Sequence, residues 1–212
     1  METVRSYRQH CGIARALDLV GERWALLVVR DLVLGPKRFT DLRASLPGIA
    51  TNVLTQRLKQ LERDGVVRRR LLPPPAASTV YELTEYGREL EPVLLAFGRW
   101  GAKTMGEPAA GRSIRSEWFG VALKAHFRPE SAEGVHATIG LHFEDGALTV
   151  GIHAGELSVT SRVPDEADLV LTTELPTLVG YLSGAAVPRA ALAPEGDLEL
   201  LSRLPEMFPF GP

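Results

Sequence analysis

Thr51-Asn-Val-Leu-Thr-Gln-Arg-Leu-Lys-Gln-Leu-Glu-Arg-Asp-Gly65, followed at once by Val66-Val-Arg-Arg-Arg-Leu-Leu72, Pro73-Pro-Pro-Ala-Ala-Ser78 and Val80-Tyr-Glu-Leu83, decides the fold of the N-terminal half. Leu54, Leu58 and Leu61 fall at i, i+4 and i+7 and make one apolar stripe. The spacing predicts a helix over 51–64, capped by Thr51 or Asn52 and stopped by Gly65. At about 100° per residue, Asn52, Thr55, Gln56, Lys59 and Arg63 point away from that stripe. Such side chains pair with base edges or phosphates. The residues that follow read as two short strands around a proline-stiffened turn, a hairpin carrying Arg68, Arg69 and Arg70. Three arginines alternating along a strand do not all face one way, so at least one is expected to pair with a local carboxylate.

Working outward, Ala14, Leu17 and Val20-Gly21 mark a short amphipathic helix. Trp24-Ala-Leu-Leu-Val-Val-Arg-Asp-Leu-Val-Leu34 is nearly apolar all round, ends at Gly35-Pro36 and reads as a buried central helix. Thr40–Leu46 adds one or two helical turns before Pro47-Gly48. Three helices and then a basic hairpin form a winged helix-turn-helix arrangement. The 51–64 helix is expected in the major groove, with the hairpin along phosphates or in the minor groove. The candidate DNA-contacting residues are Lys37, Arg38, Thr51, Asn52, Thr55, Gln56, Lys59, Arg63, Arg68, Arg69 and Arg70. Beyond the hairpin, the 85–104 segment carries Leu90, Val93, Leu94, Phe97 and Trp100 as a second helical stripe. In a monomer it would expose a large apolar patch, so it is read, with Ile13 and Leu17 of the first helix, as a dimer interface.

The whole chain has 212 residues and a formal net charge of −2. That near-neutrality hides a net +6 over residues 1–104 and a net −8 over 105–212, a basic half suited to a polyanion and an acidic half that would avoid one. Between them Met105-Gly-Glu-Pro-Ala-Ala-Gly-Arg-Ser113 has linker composition. The expected domains are 1–105 for DNA binding and dimerisation, 106–113 as linker and 114–212 for ligand binding. No apolar run approaches the roughly 18 residues that span a bilayer. Met1–Gly12 lacks the apolar centre of a secretory signal, and the single cysteine excludes an internal disulfide framework; a cytoplasmic protein is expected.

Cys11–Trp24, Arg30-Asp-Leu32, Gly35-Pro-Lys-Arg-Phe-Thr-Asp-Leu-Arg43, Leu46-Pro-Gly-Ile49, Leu54-Thr-Gln-Arg-Leu58, Leu61-Glu-Arg-Asp-Gly-Val66 and Tyr81-Glu-Leu-Thr84 together resemble the HxlR family of winged-helix regulators, itself similar to MarR regulators. The match covers nearly all of residues 11–100, in order and in spacing. The resemblance implies a homodimer on a pseudo-palindromic double-stranded operator, with 51–64 as recognition helix and 66–83 as wing. The sequence departs from the family at Ala50-Thr51-Asn52, where a Ser/Pro pair usually opens the helix, and it runs on past residue 105, where such chains usually end.

In the acidic half, residues 135–163 alternate with period two. Asp145-Gly146 reads as a two-residue hairpin turn that pairs Phe143 with Leu148, Leu141 with Val150 and Ile139 with Ile152. A second turn at Ala154-Gly155 pairs Ile152 with Leu157 and Val150 with Val159. A fourth strand is expected at 168–173, and helices at about 116–127, 174–184 and 197–204. The expected fold class is α+β throughout: a mostly helical winged helix-turn-helix with a β-hairpin, then a one-faced, largely antiparallel sheet covered by helices. Ala167–Gly184 and Glu195–Phe208 are similar to sterol-carrier-protein-type domains. That resemblance implies a strand between loop and final helix, and an apolar cavity for a small hydrophobic effector. Trp118, Phe119, Phe127, Leu178, Tyr181, Leu182 and Phe208 are its candidate lining, or simply core.

Other constellations are weaker. Cys11 opens a helix whose dipole favours thiolate, and a cysteine at the matching position is a redox sensor in some HxlR-family members; a packed or idle thiol is the plainer reading. His136, His142 and His153 share the polar side of the proposed hairpin without any metal-ligand motif, so no metal is expected, and no cofactor. Nucleophile-elbow, phosphate-loop and dinucleotide patterns are missing, and no enzyme is expected. The reading is a homodimeric transcription regulator, a repressor by default, whose DNA binding a hydrophobic effector modulates. Two alternatives stand beside it. One is a redox regulator acting through Cys11, with a ligand-free C-terminal module for dimerisation or partner docking. The other is a lipid-binding or transfer protein with a vestigial winged helix.

Overall fold

The computed structural model describes residues 6–106 and 115–210, and the chain divides into two units, Met1–Leu94 and Leu95–Pro212. Apart from Gly106, the 106–113 linker segment falls outside the described residues or at their edge. The first unit runs α1 (Gly12–Val20), α2 (Ala25–Val33), β1 (Lys37–Arg38), α3 (Phe39–Ser45), α4 (Thr51–Arg63), β2 (Val67–Leu71), β3 (Thr79–Leu83), α5 (Glu85–Arg88) and the start of α6 (Leu90–Ala102). Its core is the one the leucine spacing predicts. Leu54, Leu58 and Leu61 are buried together with Ala25, Val28, Val29 and Leu32 of α2 and Leu42 of α3. Burying each leucine contributes about 1.5–3 kcal/mol. Charged groups also enter this interior, Asp31 deepest among the described residues. Asp31 of α2 accepts hydrogen bonds from Arg30 (2.8 Å) and from Ser45 of α3, which ties the two helices together. Burial pushes the Asp31 carboxyl above the usual range, against the opposing pull of Arg30, Ser45 and Lys37.

The β-strands of this unit form an antiparallel sheet in the order β1-β3-β2. The two-stranded hairpin is as expected; β1 is an addition, too short for any periodicity to reveal. The capping expectation is corrected. Ala50 is the N-cap of α4 and makes no side-chain cap bond, so Thr51 is already helical; its carbonyl accepts from the Thr55 hydroxyl at 2.8 Å. At the other end Gly65 adopts φ +73° and ends the helix as expected. The 85–104 segment is two helices, and the Leu90–Trp100 stripe lies wholly on the second. Thr84 caps α5 by accepting from the Gly87 N–H at 2.9 Å, and Leu90 opens α6.

The second unit continues through α6 into α7 (Ser116–His126), a 3-10 turn at Pro129–Ala132, β4 (His136–Phe143), β5 (Gly146–His153), β6 (Glu156–Thr160), β7 (Leu169–Thr172), α8 (Leu175–Leu182), a 3-10 turn at Arg189–Ala191, β8 (Pro194–Gly196) and α9 (Leu198–Met207). The sheet order is β6-β5-β4-β7-β8. Period-two alternation has its predicted result: Ala137, Ile139, Leu141, Leu148, Val150, Ile152, Val159, Leu169 and Leu171 are buried. Leu123 of α7, Leu178 and Leu182 of α8 and Leu204 and Phe208 at α9 close over Ile139, Leu141 and Val150.

Two details of this sheet differ from expectation. The first hairpin pairs Phe143 with Gly146, Leu141 with Leu148 and Ile139 with Val150, two residues away from the predicted register. Its turn is Glu144-Asp145, and Asp145 is held there by accepting from the Ser116 N–H at 3.0 Å. A contact from α7, distant in sequence, overrides the local turn signal. The shift is even, so every side chain keeps its predicted face. The second hairpin has the predicted register, with Ala154 and Gly155 both at positive φ. The fourth strand, β7, lies parallel to β4, because the chain crosses over before it re-enters the sheet.

Gly87 meets the backbone where α5 crosses the start of β2. A Cβ there would lie 2.0 Å from the Val66 carbonyl oxygen, an atom fixed by its neighbours. Gly87→Ala is expected to destabilise the first unit by about 1–3 kcal/mol, measured by urea unfolding; unchanged stability would contradict that packing.

Candidate nucleic-acid interface

The outward side of α4 follows directly from what its inward side buries. With Leu54, Leu58 and Leu61 turned inward, Thr51, Asn52, Gln56, Lys59 and Arg63 are exposed, and Thr55 is half-buried. The Thr55 hydroxyl is engaged on Thr51, whereas Asn52, Gln56, Lys59 and Arg63 keep the stripe predicted for them. Arg63 donates to the Gln60 side chain, which in turn donates to Asp64 at 2.8 Å, so the last turn of the helix carries an ordered polar chain.

The hairpin beside it is more tightly organised than its sequence indicates. All three wing arginines hold a carboxylate. Arg68 and Arg70 donate their Nε–H groups to the two oxygens of Glu82, at 2.8 and 2.9 Å. Arg69 donates to Glu62 of α4 at 2.8 Å. The register explains the division: Arg68 lies opposite Glu82, Arg69 opposite Tyr81 and Arg70 opposite Val80. Residues directly opposite share a face of the sheet, so Arg68, Arg70 and Glu82 lie on one face and Arg69 on the other. Burial alone would raise the Glu82 carboxyl, but hydrogen bonds and charge from Arg70 and Arg68 outweigh it and hold the group below the usual carboxylate range. Glu62 acts likewise on Arg69, holding its guanidinium above the usual range. Arg38 is exposed and lies opposite Val80, on the Glu82 face. Lys37 is buried, opposite Tyr81, where its charge acts on Asp31.

Of the dimer candidates, Ile13, Leu17, Val93, Phe97 and Trp100 are exposed, and Phe97 stacks on Trp100 at 5.7 Å. Leu90 packs on the first unit's core and Leu94 is buried. Cys11 is exposed at the N-cap of α1, where the backbone N–H groups of Ala14 and Ile13 hold its thiol below the usual range.

In the second unit, Leu178, Leu182 and Phe208 line the space between sheet and helices, a gap of about 10 Å³. That is room for about one water molecule. Phe119 packs edge-on against Phe143 at 6.0 Å, Phe127 against Phe208 at 5.4 Å, and the Tyr181 hydroxyl donates to the Leu201 carbonyl at 2.9 Å. Trp118 is half-buried on α7. His136 and His153 lie opposite each other with ring centres 6.1 Å apart. Among the described residues no three His, Cys, Asp or Glu side chains gather as metal ligands would, and no helix is long and apolar enough to cross a membrane.

A helix with a buried apolar stripe, an outward polar one and a basic hairpin beside it defines a winged helix-turn-helix domain. The family model described as HxlR-like helix-turn-helix matches residues 19–108. The uncharacterized HTH-type transcriptional regulator YdeP of Bacillus subtilis is 40% identical over 93 residues, 44% of this chain and 73% of YdeP. The HTH-type transcriptional regulator YodB of the same organism is 38% identical over 85 residues, 40% of this chain and 76% of YodB. The solved structure of YodB in its reduced form matches at 32% identity and a TM-score of 0.41, covering 48% of this chain and 100% of that one. The chain belongs to the HxlR family and is a helix-turn-helix transcriptional regulator of that type.

The residues that sequence reasoning missed are Glu62 and Glu82, the carboxylates that hold the wing. The signal for Glu82 was available in the hairpin register, which sets it opposite Arg68; Glu62 needed the angle between α4 and β2. Two pairs of variants test the site. Gln56→Ala is expected to lose preference for operator over random DNA, while Arg69→Ala weakens both alike and flattens the salt dependence; equal loss from both would merge the two roles. Phe97→Asp with Trp100→Asp is expected to give monomers in light scattering, and an unchanged dimer mass would remove α6 from the interface.

Proposed function

We propose that the protein is a homodimeric repressor that reads a two-fold operator, α4 entering the major groove and the β2–β3 hairpin resting on neighbouring phosphates, with residues 1–105 supplying DNA binding and dimerisation. The observation that carries this reading is the exposed Asn52, Gln56, Lys59 and Arg63 stripe beside a hairpin whose arginines are all exposed. Two copies joined through Val93, Phe97 and Trp100 of α6 and Ile13 and Leu17 of α1 would cover the apolar groups left open in one chain. A two-fold dimer then matches half-sites about one helical turn apart. Repression is the simplest sign, since a dimer seated on DNA blocks access to it.

Residues 114–212 form the regulatory module of this proposal. Its sheet and helices leave a gap of about 10 Å³, which favours a docking or dimerisation role in the state described. A small hydrophobic effector would have to part α8 and α9 from the sheet, displacing Leu178, Leu182 and Phe208. A second input is open at Cys11, whose exposure and lowered thiol favour oxidation.

Fluorescence anisotropy on DNA from immediately upstream of the protein's own gene, at two salt concentrations, tests the core of the proposal. Tight, salt-sensitive binding is expected. Adding host lipid extract distinguishes the effector role from pure docking, and adding oxidant to wild type and Cys11→Ser tests the thiol. Identical affinities for those two under oxidant would exclude redox control, and no binding to any genomic fragment would overturn the regulator reading.

A further inference from the structure

Glu82 is the most unusual charge in the wing. It stands on β3, the central strand of the β1-β3-β2 sheet, with a side chain only 8% exposed, yet the two arginine side chains it holds are 60% and 44% exposed. A buried carboxylate in a strand otherwise carrying Thr79, Val80, Tyr81 and Leu83 serves no packing need that an apolar residue would not serve better. Its two oxygens are divided, one to each arginine, and each arginine donates the Nε–H, the nitrogen nearest its own chain. That leaves the outer edge of each planar fork for an external acceptor. The cluster keeps a net charge of one positive unit, and Arg38 on the same face adds another.

Building on the regulator reading above, we infer that Glu82 is a positioning residue: it aims Arg68 and Arg70 as a matched pair of forks at successive backbone phosphates and makes no DNA contact itself. Long arginine side chains lose much rotamer freedom when they settle on a phosphate, and a fork held beforehand loses less. A phosphate flanking the wing meets two oriented donors in place of two mobile ones. Local charge alone makes the opposite forecast, because a carboxylate near the DNA backbone repels it. The sign of the effect therefore decides between positioning and mere charge.

The test is anisotropy titration of full-length wild type, Glu82→Gln and the double variant Arg68→Lys with Arg70→Lys, on operator and on random DNA over a range of salt. Glu82→Gln adds one positive charge, yet is expected to bind both DNAs on the order of tenfold more weakly, with the slope of log K against log salt reduced by about one to two. The double lysine variant keeps the full charge, lacks the fork and is expected to fall in parallel. Combining Glu82→Gln with the lysine pair is expected to cost no more than either change alone. Thermal melting checks that each variant is folded; should Glu82→Gln melt early, the exposed lysine pair carries the test. Tighter binding and a steeper slope for Glu82→Gln, or wild-type binding by the lysine pair, would overturn the inference while leaving the regulator reading intact. Absence of DNA binding by wild type would overturn both.

Discussion

One helix must satisfy two opposed demands, and the first unit is arranged around that constraint. α4 buries Leu54, Leu58 and Leu61 against α2 and α3, and in doing so fixes which residues face outward. Rotating it by even one residue would move a leucine toward solvent and a polar side chain into the core, a loss of about 1.5–3 kcal/mol for the leucine alone. The outward polar face of α4 is therefore set by hydrophobic packing, not by polar contacts of its own. The lack of a side-chain cap at Ala50 fits this account, since a helix anchored along its length by three leucines does not depend on a bond at its end.

Electrostatics takes over where packing stops. The hairpin extends beyond the core, and Arg68, Arg69 and Arg70 would be mobile there if left alone. Two carboxylates divide them by face, Glu82 on one side and Glu62 of α4 on the other. The second of these links joins the hairpin to α4, so the two are held to each other as well as to the core. The Arg69–Glu62 pair, open to solvent on both sides, adds little stability, about 0–1 kcal/mol. The larger effect of all three bonds is orientation, because each fixes the direction of a long, otherwise free arginine side chain.

The contrast between what the sequence showed and what it hid follows from range. Helices α2 and α4, the β2–β3 hairpin and the buried faces of β4 and β5 rest on contacts whose pattern repeats along the chain, so periodicity displays them. The N-cap of α4 looked like Thr51 or Asn52 because both are good capping residues, but the helix begins where Leu54 must turn inward. Asp145-Gly146 is a strong local turn signal for the first hairpin of the second unit, but the turn is Glu144-Asp145, where Asp145 accepts from the Ser116 N–H. Lys37 counted as a DNA contact by charge and lies buried, since β1 pairs with β3. Each difference comes from a partner far away in the chain, and one-dimensional spacing carries no record of it.

The same reasoning bears on the second unit. A chain with nine buried sheet positions on one face has to cover them, and α7, α8 and α9 do so with aliphatic and aromatic side chains that leave almost no gap. Ring pairs such as Phe127 with Phe208 and Phe119 with Phe210, together with the Tyr181 to Leu201 hydrogen bond, tie those helices to one another and to the chain end. A ligand that entered there would have to replace these contacts with its own, and only a molecule with comparable apolar area could do so. Selectivity would then come from size and shape, because the space under the helices is bounded by Leu123, Ile139, Leu141, Val150, Leu178, Leu182, Leu204 and Phe208 and offers no polar side chain to read. The acidic half is therefore a packed body, and nothing apolar larger than a water molecule enters beneath α8 and α9 without displacing side chains such as Leu178, Leu182 and Phe208.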